Sequence, residues 1–317
     1  MEIVKDIRIC EVGLRDGLQN EPELLSAEEK VSFIDRIAAA GVKVVEVGSF
    51  MHPKAVPQMA NTDEVFQKLS RHGDVEYRAL IANVRGVERA IACGCTKVKL
   101  NVSASKAHNL ANLNRTPEES VAGFRECVAL ARAHGITVSG SISMPFGSPW
   151  EKEIPMEQVR RIVDAYLTEG ITELSLSDAA GVAYPTQVYE MGRQMQAWYP
   201  DISWWLHFHN TRGMALANVF AGMQAGFTQY DASLAGLGGC PFIPNAAGNL
   251  ATEDLAHMCE VMGVRTGLDI AALIEIGNEI AKRLGRENLS YVAKAGRNSD
   301  LLRDLPKGQI ENQVNNK

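Results

Sequence analysis

The 317-residue chain contains no run approaching the roughly 18–20 consecutive apolar residues that a membrane-spanning helix needs, so no membrane span is expected. It also lacks a basic excess: 32 lysines and arginines face 38 aspartates and glutamates, a formal charge of −6. Duplex and RNA binders draw their affinity from basic patches that neutralise phosphate, so nucleic acid is not an expected partner. Cysteines number only six and follow no regular spacing, which excludes a disulfide-stapled small domain. Cys93-Gly-Cys95 is too tight for a C-x2-C zinc knuckle and has no second pair downstream. Most of the six therefore read as reduced, buried, small hydrophobes in a cytoplasmic protein. The opening residues, Met-Glu-Ile-Val-Lys-Asp-Ile-Arg, carry charge where a secretory signal needs an apolar run, and export is not expected.

What is present is alternation. Short runs rich in Val, Ile and Leu recur at Ile7–Val12, Val42–Val47, Val75–Ile81, Lys97–Val102, Ile136–Ile142, Glu173–Ser177, Ile202–Phe208 and Gln229–Leu234. Each is followed by a longer stretch of helical period. In Ser26–Ala40, Ser26 is placed to cap a helix and Glu28 and Glu29 suit its positive end. Val31, Ile34, Ile37 and Ala38 share a face, and Gly41 stops the helix. Thr116-Pro117-Glu118-Glu119 repeats the start signal and Gly135 the stop, while Pro155, Pro185 and the segment after Gly213 open three more helices.

Strand-then-helix units imply parallel strands, since each helix carries the chain back across the sheet. A doubly wound sheet would favour a G-x-G-x-x-G turn after the first strand, but the residues there are Gly13-Leu14-Arg15-Asp16-Gly17. Eight units of even size predict instead a (β/α)8 TIM barrel with extra C-terminal helices. The whole chain, 1–317, reads as a single catalytic domain: a barrel over about 5–265, a helical extension over about 266–306 and a polar tail, 307–317.

Barrel enzymes place their chemistry at the C-terminal ends of the strands. Those ends carry Arg15 and Asp16 after strand one, Glu46 on strand two, Asp178 on strand six, His207 and His209 on strand seven, and the segment from Cys240 to Asn249 after strand eight. In a strand, residues i and i+2 share a face, so both imidazoles of His207-Phe208-His209 point inward and Phe208 packs outward against a helix. By itself such a pair is as consistent with two core histidines as with a metal pair. Strands seven, eight and one adjoin in a closed barrel, which lets Asp16 and Asn249 converge on the same point. Two imidazole nitrogens, a carboxylate and an amide oxygen favour Mg2+ or Mn2+ with positions open for substrate. Gly236-Leu237-Gly238-Gly239-Cys240-Pro241 has the composition of a mobile loop, and a thiol beside a cation is a natural proton carrier.

Four stretches, GLRDGLQNEP from Gly13, SFMHPKAVPQM from Ser49, the HFH element and GLGGCPFIPNAAGNLATEDL from Gly236, resemble the 3-hydroxy-3-methylglutaryl-CoA lyase family of metal-dependent TIM-barrel lyases. The resemblance runs to about Gly285. It implies cleavage of a 3-hydroxy-3-methylglutaryl thioester to acetyl-CoA and acetoacetate, and a homodimer. It also implies Asp16, His207, His209 and Asn249 as ligands of a divalent cation, Arg15 as the enolate stabiliser, Cys240 as the loop proton carrier, and Glu46, Asp178 and Gln19 as supporting pocket residues. Two stretches depart from the family. The usual H-x-H-D-T-Y-G is here His209-Asn210-Thr211-Arg212-Gly213, and Ser141 and Met144 stand where an aromatic and a cysteine are common. Arg212 and Ser141 are accordingly candidate substrate-binding residues, and the acyl-CoA substrate extends to alternatives such as citramalyl-CoA. A Claisen-type synthase and a non-catalytic acyl-CoA-binding scaffold are the remaining readings.

Overall fold

The structure is a computed structural model that describes residues 3–239 and 246–301. Eight strands, β1 (Arg8–Glu11), β2 (Val44–Ser49), β3 (Glu76–Ile81), β4 (Lys97–Ser103), β5 (Thr137–Ser143), β6 (Glu173–Asp178), β7 (Ser203–Phe208) and β8 (Gln229–Ala232), pair in parallel and in chain order. The ring closes where β1 meets β8, with Cys10 opposite Asp231. The expected (β/α)8 barrel is the fold, and each strand lies within two or three residues of its predicted run.

The crossover helices follow the local chemistry. The helix Ala27–Ala39 is closed by a full capping box between Ser26 and Glu29 and buries Phe33, Ile34, Ile37 and Ala38 against the sheet. Each fully buried isoleucine there stabilises the layer by roughly 1.5–3 kcal/mol. Thr116 and Glu119 form a second capping box, but the run up to Gly135 is not one helix. It breaks at Gly123 into Pro117–Ala122 and Phe124–Ala133, where the Gly123 N–H turns back to Ser120 and Val121. Three helices follow the barrel: Thr252–Met262, Ile270–Arg283 and Tyr291–Ala295.

Inside the ring the side chains form layers. Glu76, Arg78, Lys97 and Glu173 lie at the N-terminal end. An apolar floor of Cys10, Val12, Val44 and Trp205 comes next, and above it Glu46, Lys99 and Asp231 lead to the mouth. Outside the ring the main core runs from Ile7 to Leu284.

Candidate active site

The turn after β1 is a single π-helical turn, Gly13–Gly17, closed by the Gly17 N–H on the Val12 carbonyl. Such wide turns recur at functional sites. Both glycines permit close approach: a Cβ on Gly13 would lie 2.6 Å from Glu11 Oε1, and one on Gly17 2.9 Å from Leu237 Cβ. Between them the turn presents Arg15 and Asp16 to the mouth.

Buried Glu11 ties this turn to its neighbours. Its Oε1 accepts from the N–H groups of Gly13 (2.8 Å) and Leu234 (2.9 Å), and its Oε2 from Thr252 Oγ1 (2.6 Å). One carboxylate thus joins the Arg15–Asp16 turn, the start of the glycine loop and the segment just past Asn249. Burial pushes the Glu11 carboxyl up to about 7, against the pull of these donors.

Arg15 pairs with Asp16 Oδ1 at 2.5 Å and, through Nε, with Glu46. Glu46 also receives Lys99 Nζ at 2.7 Å, and Lys99 lies 3.5 Å from Asp231 Oδ2. Burial alone would raise Glu46 and Asp231. The adjacent Arg15 and Lys99 charges outweigh it at Glu46, and Lys99 and the His207 hydrogen bond outweigh it at Asp231, holding both carboxyls below the usual range. Asp16 is likewise held well below it, burial being overcome by Arg15 and the two imidazoles.

The two histidines and Asp16 converge. Asp16 Oδ2 lies 3.4 Å from His209 Nε2 and 4.0 Å from His207 Nε2, and the candidate ligand atoms of the trio all lie within 4.8 Å of one another. Ligands sharing one ion at about 2.1 Å stand roughly 3–4 Å apart, so the trio is sized for a metal. Asp231 Oδ2 meets His207 Nδ1 at 3.2 Å, which fixes the ring and leaves Nε2 for a ligand bond. Asn249 adjoins the trio through its amide nitrogen, which donates to Asp16 Oδ2 (2.8 Å) and to the Leu237 carbonyl (3.0 Å). Its buried Oδ1 has no hydrogen-bond partner among the described residues. A backbone bridge between His209 and Asn249 holds the two segments together.

These groups border a cavity of about 290 Å3, lined also by Gln19, Lys99, Asn101, Ser141, Ser143, Ser177 and Gly239. The structure therefore brings Arg15, Asp16, Gln19, Ser141, His207 and His209 to one cavity, with Glu46 and Asn249 immediately behind. Asp178 and Arg212 are employed differently. Both Asp178 oxygens accept from the backbone N–H groups of Val182 (3.0 Å) and Ala183 (2.8 Å), and burial raises its carboxyl. Arg212 donates to the carbonyls of Ala180 (3.1 Å) and Gly181 (2.9 Å) from an exposed position. Both thus brace the loop after β6. Phe208 packs outward into the main core, its ring 6.1 Å from that of Phe146 in the loop after β5. Cys240 lies outside the described residues.

Sequence reasoning missed Lys99, Asp231 and Asn101. The signal was there as period two: Lys97, Lys99, Asn101 and Ser103 alternate with Val98, Leu100 and Val102.

Residues 6–280 match the HMGL-like family. The (R)-citramalyl-CoA lyase of Chloroflexus aurantiacus is 40% identical over 300 residues, covering 92% of this chain and 95% of its own. A hydroxymethylglutaryl-CoA lyase of Bacillus subtilis is 38% identical over 286 residues, covering 90% and 96%. The solved structure of an HMG-CoA lyase from Acinetobacter baumannii, in complex with coenzyme A and 3-methylmalate, superposes with a TM-score of 0.91 at 39% identity. It covers 96% of this chain and 100% of that one.

Proposed function

The chain belongs to the HMGL-like family, and from that premise we propose that it is a carbon–carbon lyase for a 3-hydroxy-3-methylglutaryl-CoA-type thioester. The products are acetyl-CoA and a keto acid, acetoacetate for the parent substrate. The observation that carries this reading is the convergence of Asp16, His207 and His209 beside Arg15 at the mouth of the barrel.

Mg2+ or Mn2+ held by Asp16, His207, His209 and Asn249 would supply Lewis acidity toward the substrate's tertiary hydroxyl and a template for its orientation. The chain's own residues do the rest. Cleavage needs the carbinol proton to leave, the C–C electron pair to pass into a thioester enolate, and the enolate carbon to gain a proton. Arg15 is permanently charged and aimed by Glu46 and Asp16, so its guanidinium donates to the oxygen on which the charge develops. Lys99 keeps Glu46 and Asp231 ionised, and Asp231 keeps the His207 ring in register. The proton carrier of this reading is the Cys240 thiol, with Gln19, whose buried Oε1 has no hydrogen-bond partner among the described residues, as a substrate contact.

One catalytic domain is supported by the continuous core from Ile7 to Leu284, and a reducing, cytoplasmic setting by five free buried cysteines. The homodimer rests on the family resemblance alone and is read by sedimentation velocity. Substrate identity is tested by incubating the Mg2+-supplemented protein with a panel of 3-hydroxyacyl-CoA thioesters and following acetyl-CoA and the keto acid. Acetoacetate supports the principal reading. Pyruvate from citramalyl-CoA supports the second, favoured by the 40% identity to a citramalyl-CoA lyase. EDTA is expected to abolish turnover while the far-UV circular dichroism stays unchanged; loss of both together would make the ion structural.

A further inference from the structure

The candidate metal ligands and Arg15 lie on one side of the mouth. Arg15, Asp16, His207, His209 and Asn249 come from β1, β7 and the segment after β8, which adjoin around the ring. Strands β4 and β5 stand opposite β8 and β1. Apart from Lys99, whose ammonium is engaged by Glu46 and Asp231, the side chains that β4, β5 and β6 contribute at cavity level are uncharged: Asn101, Ser141, Ser143 and Ser177. Some of their hydrogen-bonding capacity is spent within the wall. Ser143 donates to Asn101 Oδ1 at 2.8 Å, and Ser141 shares a hydrogen bond with Ser175 at 3.3 Å. The Asn101 amide nitrogen and the Ser177 hydroxyl make no hydrogen bond among the described residues, and both residues line the cavity.

Alanine or valine would leave similar room without a desolvation cost. A row of hydrogen-bonding side chains serves a ligand better than it serves packing. A substrate whose hydroxyl and carboxylate are held on the charged side turns its remaining branch toward this wall. A methyl branch there would strand the Asn101 and Ser177 groups, whereas a hydroxyl would meet them. The one charge this side carries, Lys99, is already paired with Glu46 and Asp231, and Arg15 with Asp16 and Glu46, so the wall suits a neutral polar branch rather than a second carboxylate.

Building on the lyase reading, we propose that Asn101 and Ser177 determine specificity. The preferred substrate then bears a hydroxylated branch on the carbinol carbon where the hydroxymethylglutaryl skeleton bears methyl. Sites built to hydrogen-bond a substrate hydroxyl reject the analogue lacking it far more strongly than apolar pockets reject an extra group.

The test separates binding from turnover. Calorimetric titration of the Mn2+-supplemented protein with 3-hydroxy-3-(hydroxymethyl)glutarate and with 3-hydroxy-3-methylglutarate is expected to show at least tenfold tighter binding of the first. In Ser177→Ala the ratio should fall about threefold, and in Asn101→Leu/Ser177→Ala it should approach unity. Equal or weaker binding of the hydroxymethyl acid, binding of neither acid, or a ratio unmoved by the substitutions would overturn the assignment. The two CoA thioesters are assayed for cleavage separately. Cleavage of neither, with the binding ratio intact, removes the lyase reading and leaves the wall; cleavage of both with equal binding does the reverse.

Discussion

At the N-terminal end of the barrel, Arg78 and Lys97 stand among Glu76 and Glu173. Lys97 Nζ reaches both carboxylates, at 3.0 and 2.5 Å, and Arg78 also reaches both, at 3.2 Å to Glu173, with its guanidinium 4.7 Å from the Trp205 ring. Two cations against two carboxylates, each cation shared, make a self-contained plug beneath the apolar floor. Near the C-terminal end the same residue types are arranged differently. Arg15 and Lys99 stand among three carboxylates, Asp16, Glu46 and Asp231, and beside them Asn249 Oδ1 is buried without a hydrogen-bond partner among the described residues. Burying an unbalanced charge is costly unless a further group of opposite sign completes the arrangement. The lower cluster balances its charge with its own residues, whereas the upper one holds one more carboxylate than cation, a surplus that the cation of the proposed function would offset. That difference, more than the presence of charge, separates packing from chemistry here.

Arg15→Met tests the contrast with the largest expected effect. Loss of a donor aimed at a developing oxyanion costs about 3–4 kcal/mol, or roughly 10²–10³ in kcat. The drop should appear in kcat with KM little changed, and steady-state assays across the thioester panel read it directly. A variant that retains wild-type kcat would remove Arg15 from the reaction. Arg78→Met is the converse. Here kcat should hold while urea denaturation shows a loss of about 1–3 kcal/mol, less than for a wholly buried pair because Glu76 and Glu173 keep a quarter of their side-chain surface in water. Should Arg78→Met depress kcat as far as Arg15→Met does, the two clusters are one electrostatic unit and the division between them fails.

The architecture was legible because it is periodic. Eight apolar runs with capped helices between them admit few folds, and Ser26 and Thr116 marked helix starts that the structure closes with full capping boxes. His207 and His209 were legible because spacing by two puts side chains on one face, and Asp16 because a strand end in a barrel is a site. Other features were hidden for identifiable reasons. Lys97–Val102 reads as an apolar run through Val98, Leu100 and Val102, which face the helices. Its inward set, with Lys99 and Asn101, gains meaning only when the ring closes and sets Lys99 against Glu46 and Asp231. The strand-end rule also draws Asp178 and Arg212 toward the mouth. A strand end equally needs its following loop held, and both side chains are engaged there by backbone groups. The π-turn at Gly13–Gly17 depends on Glu11, Ser233 and Leu237 standing close by, two of them more than 200 positions away in sequence.

Lys30 extends the comparison to a buried cation with no carboxylate. Its Nζ donates to the Gln58 carbonyl (2.6 Å) and to Asn61 Oδ1 (2.7 Å), both neutral, and no acid pairs with it among the described residues. Burial therefore brings its ammonium down to about 8. Between that value and its unfolded value near 10.5 the unfolded chain holds a proton that the folded chain has released, so stability rises with pH across this window. Below pH 8 both states are charged and the burial cost is present in full. Relative to Lys30→Met, which removes the titration, the wild type should gain about 1–2 kcal/mol between pH 7.5 and 9.5 in paired urea midpoints. A flat difference across that range would mean that two neutral oxygens solvate the ammonium as well as water does, and that the carboxylates of the two barrel clusters are not needed merely to keep a buried cation charged.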